Sequence, residues 1–180
     1  MKLQQGSDLF SAIVAAPFGA VGIRTEAQGE GARIRELVYL PPHYQEKAPQ
    51  DGAAEQAADQ VVRYFGDADF RFDLPLFDAG SVFQRRVWDA ICAIPRGSVR
   101  TYGQVAKLLE SHPRAVGQAC GANVFPLVIP CHRVTASEGL GGFASSDDEH
   151  GFTLTVKRWL LRHEGALPLE MPWQQQSIFP

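Results

Sequence analysis

The stretch TYGQVAKLLESHPRAVGQACG, residues 101–121, contains two short helical patterns separated by a tight turn. Its first four residues have the S/T-x-x-E/Q form of a capping box, which marks the start of a helix. Pro113 suits the first position of a second helix, which we expect to end near Gly121. Two short helices joined by residues 110–113 form a helix-turn-helix candidate. Because many helix pairs bind no nucleic acid, the pattern alone also fits a packing role.

The neighbouring sequence extends this helical region in both directions. Residues 81–84 form another capping box, and the apolar spacing after it predicts a helix that ends before Pro95. Residues 124–131 form an apolar run with two prolines, which bar a helix, so we expect a buried extended segment there. The spacing predicts a last helix over residues 153–164, with Gly165 as its stop.

The first part of the chain predicts a small α/β unit. Alternation and turn residues predict three antiparallel strands, at residues 11–16, 20–25 and 33–40. A helix is expected over residues 53–65, with Gly66 as its C-terminal cap, and a short strand near residues 72–76. We therefore predict an α+β fold: an N-terminal α/β domain over residues 1–78, followed by a mainly helical domain with the helix-turn-helix over residues 79–180.

Composition excludes several classes of protein. The chain has 180 residues, 45% apolar and 21% charged, which is typical of a globular protein and not of a disordered or fibrous one. No apolar run approaches the roughly 20 residues of a membrane span, and no secretory signal is visible, so we expect no membrane association. Three cysteines without C-x-x-C spacing fit a reducing cytoplasm and are too few for a cysteine-rich zinc site. We expect a cytoplasmic protein without a metal.

Charge is distributed unevenly along the chain. The net charge of −3 argues by itself against a nucleic-acid partner. Residues 1–80 carry seven Lys/Arg and twelve Asp/Glu, whereas residues 81–137 carry seven basic and two acidic residues. The field near a surface patch is set by charges within about 8–10 Å, so a local basic patch can still bind phosphate. The same charges also fit an ordinary solvated surface.

Two adjacent residues carry the chemistry that the sequence indicates. Cys131 follows an apolar run, where a thiol keeps its proton, but the imidazole of His132 can take that proton directly or through a water. Glu164 lies in the last turn of a predicted helix, where the helix dipole disfavours a carboxylate by about 0.3–1 kcal/mol. Orienting the imidazole would compensate, so the candidate triad is Cys131, His132 and Glu164. Cys92 and Cys120 fit ordinary core positions.

Arg114 stands at the start of a predicted helix, where the helix dipole disfavours a cation. That cost vanishes if the first turn faces DNA phosphates. Small residues, beginning with Ala115, line the same helix and allow close approach to a groove of DNA. Tight packing between two helices requires the same small residues, so both interpretations stay open.

Several motifs together resemble a known family. They are Tyr102-Gly-Gln-Val-Ala, Arg114-Ala-Val-Gly, Asn123, Ile129-Pro-Cys-His-Arg-Val134, Gly141-Gly-Phe143 and Lys157-Arg-Trp-Leu-Leu-Arg-His-Glu164. Over about residues 70–165 the chain is similar to the O6-alkylguanine-DNA alkyltransferases, or methylated-DNA–protein-cysteine methyltransferases. The Pro-Cys-His-Arg-Val pentapeptide is highly specific. The resemblance implies a small ribonuclease-H-like N-terminal domain and a helical domain with a helix-turn-helix.

The resemblance also implies a role for each matched residue. Cys131 would accept the alkyl group, His132 would deprotonate it through a water, and Glu164 would orient His132. Asn123 would hold the turn before the cysteine, and Tyr102 would hand a proton to the flipped guanine. The implied DNA-binding residues are Arg114, which fills the gap in the duplex, and Ala115, Gln104, Gln84 and Ser137. The implied base pocket is lined by Val134, Phe143 and Ser145.

The implied activity is DNA repair by direct, stoichiometric and irreversible alkyl transfer. The partner would be double-stranded DNA that carries O6-alkylguanine, with O4-alkylthymine as a second candidate substrate. The damaged nucleotide must leave the stack to be reached. The thioether product has no carbonyl for water to attack, so each molecule would act once. Neither a methyl-donor cofactor nor a catalytic metal would be needed, and we expect a monomer.

The sequence departs from the family pattern in several places. The turn before Arg114 and the loop after Cys131 are short, and Val124 stands where the family has a proline. An insert over residues 144–156 replaces the usual continuation of the pocket, with Ser145 or Ser146 as substitute polar donors. Two other readings are a thiol hydrolase, which would turn over repeatedly, and a lesion-sensing module, which would bind DNA without changing the cysteine.

Overall fold

The computed structural model describes residues 8–143 and 151–167. The chain divides between Ala79 and Gly80 into two compact units. The architecture is mixed α/β, with a three-stranded antiparallel sheet in the first unit and most of the helices in the second. In the described residues no helix is long and apolar enough to cross a membrane.

The first unit is a sheet packed against one helix. Its strands are β1 (Ala12–Ala16), β2 (Gly19–Gln28) and β3 (Gly31–Leu40), paired antiparallel in the order β1-β2-β3. The helix α1 (Gly52–Gly66) begins at Asp51, whose carboxylate accepts a hydrogen bond from the amide of Ala54. Apolar residues of the sheet and of α1 are buried and form the core, among them Ile13, Val21, Ile23, Ile34, Ala57 and Val61. The three predicted strands and the helix are confirmed.

Two local predictions in this unit are wrong. Gly66 is the last residue of α1, and Asp67 caps the helix through its amide, which donates to the carbonyl of Arg63. The strand expected at residues 72–76 is a single bridge between Leu76 and Ile34. The side-chain amides of Gln56 and Gln60 in α1 donate to the carbonyl of Asp73, and the backbone amide of Asp73 donates to Oε1 of Gln60. These side chains occupy the groups that a strand partner would bind.

The described residues of the second unit form four α-helices, one 3-10 helix and a small parallel sheet. The helices are α2 (Val82–Cys92), α3 (Tyr102–Leu108), α4 (Pro113–Gly121) and α5 (Phe152–His163). Both predicted capping boxes are present, at Ser81 and Thr101, and Pro113 occupies the first turn of α4 as expected. Strand β4 (Arg100–Thr101) pairs with β5 (Val134–Thr135). This pairing brings the start of α3 beside the segment that follows Cys131.

The segment over residues 124–131 is buried as predicted, but it is not extended. Phe125, Leu127 and Ile129 are 2%, 4% and 8% exposed. The amide of Ile129 donates to the carbonyl of Phe125 at 2.9 Å, and Leu127 adopts a left-handed φ of 74°, so the segment folds into turns. A 3-10 helix, Cys131–Arg133, follows directly. The prolines excluded an α-helix, but they also suit tight turns.

Candidate active site around Cys131

Cys131 lies at the start of the 3-10 helix with only 6% of its surface exposed. Its thiol is held by Asn123, whose Nδ2 lies 3.1 Å from Sγ. The same Nδ2 donates to the carbonyl of Ile129 at 2.9 Å, and Oδ1 accepts from the amide of Phe125 at 2.9 Å. One side chain therefore fixes both ends of the buried turn that delivers the sulfur. The resemblance implied a turn-holding role for Asn123, and these contacts support it as a proposal.

His132 and Glu164 meet in the interior of the second unit. Nε2 of His132 lies 2.9 Å from Oε1 of Glu164, and the two side chains are 1% and 0% exposed. Nδ1 of His132 is buried and has no hydrogen-bond partner among the described residues. Glu164 stands at the C-terminal cap of α5, as the sequence predicted. The structure therefore brings the three members of the candidate triad into one region, although the sequence separates Glu164 from Cys131 by 33 positions.

Arg133 forms the third side of this cluster. Its Nε and Nη2 donate to Oε2 and Oε1 of Glu164 at 2.9 and 2.8 Å, and Nη1 donates to the carbonyl of Ile94 at 2.6 Å. Such a two-point pair between a guanidinium and a carboxylate fixes both charge and orientation. Arg133 therefore holds the carboxylate that faces His132, a contact that the sequence prediction did not include.

Electrostatics keep Glu164 charged and His132 neutral. Burial alone would raise the pKa of Glu164, but hydrogen bonds from His132 and Arg133 outweigh it and hold the pKa well below its ordinary range. For His132, burial lowers the pKa below 6.5, although the carboxylate of Glu164 works in the opposite direction. At neutral pH the imidazole is therefore unprotonated and can accept a proton.

The thiol of Cys131 keeps its proton in the free protein. A hydrogen bond with the Cys120 thiol and then burial raise the pKa of Cys131 well above 9.0, and only the contact with Asn123 lowers it. For Cys120, the same hydrogen bond lowers the pKa. The sequence predicted that the adjacent imidazole ionises the sulfur, and this stays a prediction. The raised pKa of Cys131 favours the thiol, whereas the lowered pKa of His132 favours a neutral imidazole that can accept a proton.

Tyr102 and Phe143 lie over a buried lysine. Nζ of Lys157, whose side chain is fully buried, is 5.9 Å from the centre of the Tyr102 ring and 5.5 Å from that of Phe143. The amine donates to the carbonyls of Val134 and Leu140, both at 2.7 Å, and the hydroxyl of Tyr102 donates to Gly142 at 3.0 Å. The lysine therefore ties α5 to the loop that begins after Cys131.

Burial changes the ionisation of this lysine. It lowers the pKa of Lys157 from 10.5 to about 8, against the smaller opposing effects of the Cys120 and Cys131 thiols. At neutral pH the amine is still mostly charged. A cation therefore stands beneath the two aromatic residues, where it lowers the pKa of the neighbouring Cys120 thiol.

The remaining predicted residues lie on the same unit. Arg114 is exposed in the first turn of α4, next to the half-buried Ala115. Gln84 and Gln104 each accept a hydrogen bond from the N-cap amide of their own helix, so their carbonyl oxygens are engaged in capping. Ser137 is exposed, and Val134 is fully buried next to the 3-10 helix. Ser145 lies outside the described residues, as does most of the insert.

Three residues of the site were not predicted from the sequence. Lys157 offered a signal, because it falls on the apolar stripe of α5, three positions after Leu154 and three before Leu160. Arg133 and Cys120 offered none, since each meets its partner only through the tertiary fold. In the described part of the chain no group of three or more His, Cys, Asp or Glu residues could hold a metal ion.

The comparisons with known proteins fall in one family. A sequence profile described as 6-O-methylguanine DNA methyltransferase, DNA binding domain, matches residues 82–166. The Methanosarcina mazei methylated-DNA–protein-cysteine methyltransferase is 34% identical over 144 residues, which are 76% of this chain and 87% of that protein. A crystal structure of Mycobacterium tuberculosis O6-methylguanine methyltransferase has a TM-score of 0.65 at 32% identity and covers 88% of this chain and 94% of that one. Mycobacterium tuberculosis OGT in complex with DNA has the same TM-score and identity, with 86% and 91% covered.

Proposed function

Because this chain belongs to the methylated-DNA–protein-cysteine methyltransferase family, we propose that it repairs DNA by moving an alkyl group from O6-alkylguanine to Cys131. Each molecule acts once and the transfer is irreversible. The observation that carries the proposal is the burial of Cys131, 6% exposed, beside the His132–Glu164 pair. A nucleophile and a base oriented by a third group are the parts that covalent transfer needs.

The first chemical step is removal of the thiol proton. Nε2 of His132 faces Glu164, so Nδ1 is the ring nitrogen that takes the proton of Cys131, passed through a water. The imidazolium that forms is stabilised by the ionised carboxylate of Glu164. Arg133 keeps that carboxylate charged and in place. We propose that the thiol loses its proton when the alkyl carbon of the damaged base is in place for attack by the sulfur.

The second step is displacement at the alkyl carbon. The thiolate sulfur attacks the carbon in line, a C–S bond forms, and the bond from that carbon to O6 of guanine breaks. The electron pair stays on guanine. The hydroxyl of Tyr102 protonates the leaving base; in the free protein this hydroxyl donates a hydrogen bond to the carbonyl of Gly142. The product is a thioether, which offers water no carbonyl to attack. The reaction needs no methyl-donor cofactor and no metal.

Recognition requires the damaged nucleotide to leave the duplex, at a cost of a few kcal/mol. We assign α3 and α4 to a helix-turn-helix that binds DNA, with exposed Arg114 filling the vacated stack. Ala115, Gln104, Gln84 and Ser137 are the proposed backbone-contacting residues. The extruded base would lie against Val134 and Phe143, with Ser145 as a further polar donor. O4-alkylthymine is the second candidate substrate.

The proposed domain boundary lies one residue before the division between the two compact units, which falls between Ala79 and Gly80. The alkyltransferase domain occupies residues 79–180 and contains every residue to which we assign a role in the reaction. The α/β domain over residues 1–78 precedes it. We further propose that the protein is a cytoplasmic monomer; the three free thiols support the reducing compartment.

One experiment tests the proposal directly. The protein is mixed with an excess of a duplex oligonucleotide that carries O6-methylguanine, and its intact mass is measured. We expect a gain of one methylene per chain, located on Cys131, and no gain in Cys131→Ser. Binding of the damaged duplex without any mass change would instead indicate a lesion sensor. Repeated turnover of an ester or peptide would indicate a thiol hydrolase.

A further inference from the structure

The loop between α2 and β4 lies against the end of α5 that carries Glu164. The amide of Ser98 donates to the carbonyl of Pro95 at 3.1 Å, and Gly97 has a left-handed φ of 76°, so residues 95–98 form a tight turn. A Cβ at Gly97 would lie 3.3 Å from the carbonyl oxygen of Glu164. The backbone of the turn therefore comes close to the backbone of Glu164.

Two polar contacts join this turn to the pair formed by Arg133 and Glu164. Nη1 of Arg96 donates to the main-chain carbonyl of Glu164 at 3.1 Å. The carbonyl of Ile94, the residue before the turn, accepts from Nη1 of Arg133 at 2.6 Å. The turn therefore holds the main chain of Glu164 and also the guanidinium that binds its carboxylate. Arg96 has no task in the reaction steps proposed above.

The contact of Arg96 suits the end of a helix. The last carbonyls of a helix have no amide partner within it, and the helix dipole makes this end negative. Glu164 adds a carboxylate at the same end, because it is the C-terminal cap of α5. Arg96 supplies both a cation and a donor there, which stabilises such an end. Holding the carbonyl of Glu164 also fixes the point from which its side chain reaches His132.

We propose that Arg96 is a positioning residue for alkyl transfer, which acts through the main chain of Glu164 on the orientation of His132. The inference rests on the proposed function, because a positioned imidazole matters only if it takes the proton of Cys131. A side chain that takes part in a reaction has to be held within about 0.5 Å of its productive position, which requires contacts behind it. Arg133 holds the carboxylate of Glu164, and Arg96 holds the backbone that bears it.

Arg96→Met tests this role, because it removes the charge and the donor but keeps an apolar stem. Arg33→Met is the matched control. Nη1 of Arg33, an exposed arginine like Arg96, also donates to a main-chain carbonyl, that of Leu76 at 3.2 Å, but in the other unit. Arg96→Lys retains a cation that can reach the carbonyl.

Single-turnover methyl transfer by the full chain is timed with a saturating duplex that carries O6-methylguanine, so that a change in DNA affinity does not enter the rate. We expect Arg96→Met to be about 5-fold slower than the wild type, as the loss of one hydrogen bond implies, and Arg96→Lys and Arg33→Met to stay within about 2-fold. Arg96→Met that transfers as fast as the wild type, or Arg96→Lys that is as slow as Arg96→Met, would overturn the proposal.

A double-variant cycle separates positioning of the imidazole from a contact with DNA or a general loss of structure. His132→Gln has no imidazole for Glu164 to orient, so adding Arg96→Met to it should change the remaining rate by less than about 2-fold. His132→Asn gives a second background if His132→Gln does not fold. A loss as large as in the wild type would show that Arg96 acts independently of His132 and would refute the proposal. If neither background transfers measurably, the comparison of Arg96→Lys with Arg96→Met decides.

The two proposals fail in different ways. If the wild type gains no methylene on Cys131, the proposed function fails, and the positioning role of Arg96 fails with it. If the wild type transfers the methyl group and Arg96→Met does so equally fast, only the role of Arg96 fails.

Discussion

Arg133 donates hydrogen bonds to both carboxylate oxygens of Glu164, from Nε to Oε2 at 2.9 Å and from Nη2 to Oε1 at 2.8 Å. The carboxylate is fully buried, so its charge is stabilised by this pair and by His132 rather than by water. The arrangement makes Glu164 a fixed negative charge that raises the basicity of the His132 imidazole, which contacts Oε1 as Arg133 does.

Glu164→Gln should therefore slow alkyl transfer and change its pH dependence. The wild-type rate should fall only below about pH 6.5, because burial lowers the pKa of His132. The amide cannot stabilise an imidazolium, so the pKa of His132 drops further. We expect a plateau rate about 10²-fold lower or worse, with the acid limb moved to lower pH. Single-turnover transfer measured across pH checks this.

Glu138→Gln is the matched control, because it makes the same chemical change at an exposed position of the same unit. It should leave both the rate and its pH profile unaltered. An acid limb at the wild-type pH in Glu164→Gln, whatever its rate, would contradict the assigned role. Glu164→Gln also removes the charged partner of Arg133. This variant should therefore lose about 3–5 kcal/mol in the free energy of unfolding.

The lowered pKa of Lys157 predicts a free energy of unfolding that increases as the pH rises above 8. Its pKa is about 8 in the fold and 10.5 ordinarily, so the unfolded chain holds more protons between these values. The burial penalty of the charged amine is complete below pH 8 and is relieved as the pH rises. Relative to Lys157→Met, the wild type should gain about 3 kcal/mol in the free energy of unfolding across this range. Urea unfolding at pH 7 and pH 10 measures it, and an unchanged difference would refute the assignment.

Gly141 should tolerate a methyl group less well than Gly139. Both have left-handed φ angles, 69° and 87°, so alanine strains both by about 1–2 kcal/mol. A Cβ at Gly141 would lie 3.1 Å from both the Ala136 amide and the Tyr102 ring, whereas one at Gly139 meets nothing within 4 Å. Gly141→Ala should therefore be less stable than Gly139→Ala and slower with bulky alkyl groups. Equal stability and rates in the two variants would show that the clash is relieved.

Arg114→Ala should reduce the preference for damaged over undamaged DNA more than it reduces affinity for DNA in general. Removing an exposed cation lowers affinity for any duplex and reduces its salt dependence by about one phosphate contact. If Arg114 fills the vacated stack, its loss should additionally lower the preference for damaged over undamaged DNA. Lys107→Ala, an exposed cation on α3, should weaken both duplexes alike. Titrations at several salt concentrations separate the two effects, and an unchanged preference in Arg114→Ala would exclude the stacking role.

Local signals in the sequence predicted the elements correctly where each helix carries its own start and stop. The capping boxes at Ser81 and Thr101 depend on side chains three positions away, and Gly165 ends α5 with a φ of 78°. Such information lies within a few residues. The candidate triad of Cys131, His132 and Glu164 was proposed from a contiguous motif and the end of a helix, and its roles stay predictions.

The rest depended on partners far away in the chain. The turn at residues 124–131 is set by the side chain of Asn123, and the missing strand at residues 72–76 by two glutamines of α1. The effects of Cys120 and of burial raise the pKa of Cys131, and a pattern of residue types reveals neither effect. A sequence pattern predicts where polar groups occur, but not which of them meet.

The hydrogen bonds that hold Arg133 and Glu164 in place join residues far apart in the sequence. Arg133 lies 31 positions from Glu164 and 39 from Ile94, and Arg96 lies 68 positions from Glu164, to whose carbonyl it donates. Closing loops of that length costs conformational entropy, which only the folded unit recovers through its contacts. An unfolded chain therefore has no oriented imidazole beside Cys131. On the proposed mechanism, the sulfur gains its reactivity together with the fold of the domain.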